Sequence, residues 1–165
     1  MQRKTRIYLE SSPIMMLAPG QDSRRQAITQ EFFRIVLRNP EEYALFLSPE
    51  TMRELGDAKI EVHRQSNASF LETVRYTELP QNDEADNLAW IYTIDGVLSQ
   101  ANIDDLYHVA YAVIARCDYV VSWNMRHLAN AKTEMRVNQV NAKENYTRIS
   151  IVTPEHFTNG GTYAK

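Results

Sequence analysis

DDLYHVAYAVIARCDYVVSWNMRHLAN, residues 104–130, is the stretch that decides the fold class. In its first half Leu106, Val109, Ala110, Val113 and Ile114 share one face at helical spacing, so a buried helix is expected over residues 104–117. The period then changes. Residues 119–123, YVVSW, form a short apolar run of strand length, followed by a polar segment read as helical over 124–141. A buried helix feeding directly into a buried strand is the repeating unit of an α/β sheet.

The same alternation extends outward in both directions. Residues 6–9 (RIYL) read as a buried strand that runs into Glu10-Ser11-Ser12-Pro13, where proline stops further pairing. Residues 23–37 place Ile28, Phe32, Ile35 and Val36 on one helix face, and Asn39-Pro40 breaks that helix. A strand over 43–47 leads into Ser48-Pro49, a helix entry with proline just inside, and that helix carries Glu54. A further helix is expected over 60–74 and a short strand over 76–79, ended by Pro80. Asn82 or Asp83 caps a helix whose face holds Ala85, Leu88, Ala89 and Tyr92 and which lasts to about Val97. Residues 149–152 are the last strand, and 159–165 read as a frayed tail. This order predicts a three-layer α/β/α sandwich with a central parallel sheet of four to five strands, as a single domain over residues 1–165. In such sheets ligands bind beyond the carboxyl ends of the strands.

Composition narrows the class further. Hydrophobic residues make up 44% and charged residues 24%, the balance of an ordinary globular chain. The single cysteine, Cys117, excludes an intramolecular disulfide and a cysteine-built zinc site, and it fits a reducing cytoplasm. The apolar run 7–9 is too short for a signal segment or membrane span, so no membrane association is expected. With a net charge of −3 no global basic field attracts nucleic acid, so an RNA partner would need a local patch or a bound metal.

Several familiar chemistries are absent. The five glycines, at 20, 56, 96, 160 and 161, make neither a dinucleotide fingerprint nor a P-loop. His63, His108, His127 and His156 are scattered without zinc-ligand spacing, and no GxSxG nucleophile elbow occurs. Carboxylates at strand ends and helix starts remain: Glu10 after the first strand, Glu54 after the second, and Asp105 opening the strongest helix. Parallel topology can bring all three to one edge, and hard cations such as Mg²⁺ or Mn²⁺ prefer such oxygen ligands. Each also has a plainer reading. Glu10 alone is a loop acid, Glu54 follows Arg53 and is equally an ion-paired helix residue, and Asp105 fits the N-terminal pole of a helix.

RIYLESS and, more specifically, DDLYHVAYAVIARCDYVVSWNMRHLAN resemble the PIN-domain family, which includes the toxin nucleases of VapBC-type toxin–antitoxin pairs. SPETMREL and ISIVTPEHF extend the resemblance over most of the chain, within a branch marked by YLE-T/S-S and SWN-x-x-H. The resemblance implies a metal site from Glu10, Glu54 and Asp105 as catalytic ligands, with Asn124 as a fourth. Ser12, His108 and Ser122 would support those ligands, and Arg126 and His127 would touch substrate. Two positions depart from the commoner pattern. Glu10 stands where aspartate is usual, and Asn124 brings a carbonyl ligand without charge. The implied activity is Mg²⁺- or Mn²⁺-dependent hydrolysis of RNA by a homodimer that a small antitoxin neutralises. Two alternatives stay open: a catalytically weak PIN-fold module that binds RNA or protein, and a structure-specific DNA nuclease.

Overall fold

The computed structural model describes residues 2–158, so the expected tail over 159–165 lies outside the described residues. Strands β1 (Thr5–Leu9), β2 (Tyr43–Leu47), β3 (Thr77–Glu78), β4 (Tyr119–Val121) and β5 (Ser150–Val152) form one sheet in the order β3-β2-β1-β4-β5. All four pairings are parallel. Parallel neighbours need crossover connections, and helices supply them. Helices α1 (Ser11–Met15) and α2 (Ser23–Arg38) lead from β1 to β2, and α3 (Pro49–Gly56) and α4 (Glu61–Thr73) from β2 to β3. Helices α5 (Asp83–Ile94) and α6 (Ile103–Ile114) lead to β4, and α7 (Ala131–Lys143) leads to β5.

Alternation along the strands builds two cores. Ile7, Leu9, Leu45, Leu47 and Val121 pack against Phe32, Phe33 and Val36 of α2, Leu55 of α3 and Phe70 of α4. Tyr8, Phe46, Val120 and Ile151 face the other way, against Leu88 and Tyr92 of α5, Leu106, Val109 and Val113 of α6, and Val137 and Val140 of α7. The result is the expected three-layer α/β/α sandwich with five parallel strands, since strands buried on both faces must be apolar at consecutive positions. Among the described residues no helix is long and apolar enough to cross a membrane.

Strand order places the crevice. The chain lays β2 and β3 on one side of β1 and then returns to lay β4 and β5 on the other. Successive crossovers therefore diverge between β1 and β4, the switch point at which α/β sheets open a crevice beyond their carboxyl ends. Glu10 is the first residue after β1, and Ser122 the first after β4.

Three expectations need correction. The helix expected over 104–117 stops at Ile114, because Arg116 turns left-handed at φ 58° and the Cys117 amide bonds back to the Ala112 carbonyl. The segment 124–141 is helical only from Ala131. Asn124 Oδ1 accepts from the His127 amide at 3.0 Å and closes a separate turn, and Asn130 then caps α7 by accepting from the Thr133 amide at 2.8 Å. The chain after Glu10 is not simply broken by Pro13 but forms α1, too short for a periodic pattern to reveal.

The β5 edge is blocked from within. Glu134 accepts from the Ile151 amide at 2.7 Å, while the Asn138 side-chain amide both accepts from and donates to the Ile149 backbone at 2.9 and 2.8 Å. Side chains one turn apart on α7 thus take the groups a further strand would use.

Candidate metal centre

Glu10 organises the end of β1. Its Oε1 accepts from the Ser12 amide at 3.1 Å, from the Ser12 hydroxyl, and from the Ser122 hydroxyl at 2.7 Å. Those hydroxyls in turn accept backbone amides of the turn after β4, Ser12 from Trp123 at 2.8 Å and Ser122 from Asn124 at 2.9 Å. Glu10 is also the N-cap of α1. The E-S-S and S-W-N motifs therefore lock into each other through one carboxylate. The second carboxylate oxygen, Oε2, accepts from Ser11 at 2.9 Å.

Glu54 arrives from the next crossover. Ser48 caps α3 by accepting from the Glu50 and Thr51 amides, and Pro49 presets the first helical φ, so the helix starts directly after β2 and swings Glu54 toward β1. Glu54 Oε1 accepts from Ser11 Oγ at 2.8 Å and lies 2.6 Å from His108 Nε2. One serine hydroxyl thus sits between two carboxylates with a single hydrogen to share. His108, wholly buried on α6, meets the Tyr8 hydroxyl with Nδ1 at 2.6 Å, and Tyr8 lies 2.6 Å from Ser48 Oγ and 3.1 Å from Thr51 Oγ1.

Asp105, in the first turn of α6, completes the group. Asn124 Nδ2 donates to its Oδ1 at 3.4 Å, and His127 Nδ1 lies 3.5 Å from Oδ2. The neighbouring acids play other parts. Asp104 points outward and lies 3.6 Å from Arg53, while Asp118 at the opposite end of β4 accepts from Arg3 and from the Arg6 amide, a structural tie. Neither Asp104 nor Asp105 caps α6 through its side chain.

The electrostatics are those of crowded acids. Burial pushes the Asp105 carboxyl above its ordinary range, and the charges of Glu10 and Glu54 add to the push against the opposing pull of His108 and His127. Burial acts to raise Glu54 as well, but its bonds to His108 and Ser11 and the Arg53 charge bring it below the ordinary value. Burial pulls the His108 imidazole down, yet the Glu54 bond and the charges of Glu10, Glu54 and Glu50 lift it above its usual value. Burial raises the Tyr8 phenol well above its usual value, so it keeps its proton.

Among the described residues no lysine or arginine hydrogen-bonds to Glu10, Glu54 or Asp105. The nearby Arg53 guanidinium is taken up by Glu50, Asp57 and Asp104. Partly buried carboxylates whose basic partners are the imidazoles of His108 and His127 rather than lysine or arginine fit a divalent ion held through oxygen. The tightest group of ligand-capable side chains is Glu10, Glu54 and His108, with one ligand atom from each all within 4.8 Å of one another. Asp105 stands outside that group, though close enough to feel all three charges. Asn124 belongs to the same edge, but its amide oxygen serves the His127 amide and its nitrogen faces Asp105.

The remaining sequence candidates distribute around this edge. Arg126 is exposed, and His127 is half-buried against Asp105. Trp123 is core, donating its indole N–H to Thr29 at 2.8 Å, with the Arg25 guanidinium laid over its ring. Tyr8 escaped the sequence reading because it occupies a strand position that an apolar residue would fill. The signal was there: a phenol inside a doubly buried strand must find a partner for its hydroxyl.

No protein-family model and no curated protein matches the sequence. Among solved structures the chain is similar to VapBC2 from Rickettsia felis, solved bound to a DNA fragment from its promoter. The TM-score is 0.55 at 12% identity, covering 89% of this chain and 98% of that one. A tyrosyl-tRNA synthetase from Archaeoglobus fulgidus, complexed with L-tyrosine, superposes at TM-score 0.48 and 10% identity over 93% of this chain and 56% of its own. The first likeness, taken with the all-parallel sheet and its helices, shows a PIN-like fold.

Proposed function

We propose that the chain is a metal-dependent endoribonuclease, with Glu10, Glu54 and Asp105 holding Mg²⁺ or Mn²⁺ and Asn124 completing the edge of the site. The observation that supports this reading is the meeting of Glu10 and Glu54 at the switch point of a parallel sheet, with Asp105 close enough to feel both charges and no lysine or arginine bonded to the three. A bound divalent ion would supply an activated water and polarise a phosphoryl oxygen, so no protein nucleophile is required. The chain's own work is orientation. Ser12 and Ser122 fix Glu10, Ser11 and His108 fix Glu54, and Asn124 steadies Asp105. His127, beside Asp105, and the exposed Arg126 next to it in sequence would meet substrate phosphate.

The biological setting we propose is that of a cytoplasmic toxin, a single-domain protein acting as a homodimer and neutralised by a small antitoxin. The likeness to VapBC2 supports the pairing with an antitoxin. Asp105→Asn keeps the shape of the side chain and removes its charge. The purified variant is expected to lose Mn²⁺-dependent cleavage of single-stranded and looped RNA by two or more orders of magnitude, roughly the loss of an essential ligand's share of transition-state stabilisation. Undiminished cleavage would sink the assignment, and cleavage of DNA in preference to RNA would move it to a DNA nuclease.

A further inference from the structure

The Tyr8 hydroxyl sits in a closed hydrogen-bond circuit whose hydrogens can be counted. Thr51 Oγ1 gives its hydrogen to the Leu9 carbonyl at 3.0 Å. Ser48 Oγ accepts the Glu50 and Thr51 amides at 3.2 and 3.4 Å, which leaves its own hydrogen for Tyr8 Oη at 2.6 Å. The Tyr8 hydrogen then has two destinations, His108 Nδ1 at 2.6 Å or Thr51 Oγ1 at 3.1 Å.

Both destinations give the same result at the far side of the ring. If Tyr8 donates to Nδ1, that nitrogen is bare and the neutral imidazole carries its hydrogen on Nε2. If Tyr8 donates to Thr51, Nδ1 must carry a hydrogen to meet the Tyr8 oxygen. A bare Nε2 would then face a carboxylate oxygen at 2.6 Å, lone pair against lone pair, so Nε2 is protonated there too. In either arrangement Nε2–H donates to Glu54 Oε1. Glu54 Oε1 accepts from Ser11 as well, whereas Oε2 has no hydrogen-bond partner among the described residues.

We propose that Tyr8 is a positioning residue of the metal centre, holding His108 so that Nε2–H fixes Glu54 Oε1 and Oε2 is left to the ion. His108 therefore stands behind the carboxylate as its orienting donor, although its ring nitrogen lies within the 4.8 Å group. This role rests on the reading of Glu10 and Glu54 as metal-holding carboxylates, and its test separates the two. A ligand's orienting partner is worth a measurable share of metal affinity even though it never touches the ion.

Tyr8→Phe removes the hydroxyl and keeps the ring. Tyr92→Phe is the matched control, because Tyr92 is equally buried and spends its hydroxyl on Asn141 at 2.6 Å, between α5 and α7. In calorimetric titration with Mn²⁺ alone, Y8F is expected to bind about 10- to 100-fold more weakly than wild type, with Y92F within about twofold of it. Wild-type affinity in Y8F overturns the proposal, and so does an equal loss in both variants, which would be a stability effect. Wild-type protein that binds no Mn²⁺ removes the metal reading, and this role with it. A second measurement needs no variant to fold: in ¹⁵N-labelled wild-type protein, long-range correlation spectra of His108 are expected to show a slowly exchanging hydrogen on Nε2. A bare Nε2 would overturn the proposal whatever the metal does.

Discussion

A single carboxylate does most to join the two halves of the site. Glu10 Oε1 gathers two serine hydroxyls and a backbone amide, and each hydroxyl accepts a backbone N–H from the turn after β4. Removing one link leaves both a charged acceptor short of a donor and the Asn124 amide without its acceptor. Ser122→Ala is therefore expected to lower unfolding free energy by about 1–3 kcal/mol, read as a shift in urea midpoint at constant slope. An unchanged midpoint would show that water replaces the hydroxyl without loss. At this scale the sequence was only partly legible. Glu10, Glu54 and Asp105 stood out as acids next to strand ends and helix starts. That Ser11 would sit between two of them, or that the Asn124 oxygen would turn to the His127 amide, depends on turn geometry that residue types do not specify.

Elements were legible where a period runs long enough to register. Helix α2 falls where the helical spacing of its apolar face puts it, strand β2 where a continuous apolar run meets the Ser48-Pro49 entry, and α6 follows its apolar stripe. What escaped was set by local exchange of hydrogen bonds. Helix α6 ends in a Schellman turn with no glycine to announce it, since Arg116 takes the left-handed position at φ 58°. Helix α7 closes the same way on Asn145 at φ 63°, a residue that tolerates that region better. Arg116→Gly is accordingly expected to stabilise the protein by up to about 1 kcal/mol, the left-handed strain of a side chain outweighing the extra unfolded-state entropy of glycine. A fall in melting temperature would mean that the Arg116 side chain holds more than its backbone costs. The single thiol lies just beyond, and burial pushes Cys117 up to about 12, so it is inert packing rather than chemistry.

For the whole molecule, strand order is what brings the end of β1, with Glu10, beside the turn after β4. The reading of strands and helices predicted a parallel sheet, but no periodicity reveals that β4 returns to the free edge of β1 rather than continuing past β3. That return is made by α5 and α6, which pack closely on each other, and it sets Asp105 and the Ser122 turn beside Glu10. With an overall charge of −3 and acids at the crevice, the proposed polyanionic substrate would meet an unfavourable field unless cations filled the crevice first. Metal is thus the condition for both substrate binding and hydrolysis in this account. The direct measurement is an anomalous difference map from a crystal grown with Mn²⁺. A peak is expected at coordinating distance from the Glu10 and Glu54 carboxylates, with His108 still hydrogen-bonded to Glu54. A well-ordered protein carrying no peak on those carboxylates, or Mn²⁺ bound only elsewhere, would contradict it.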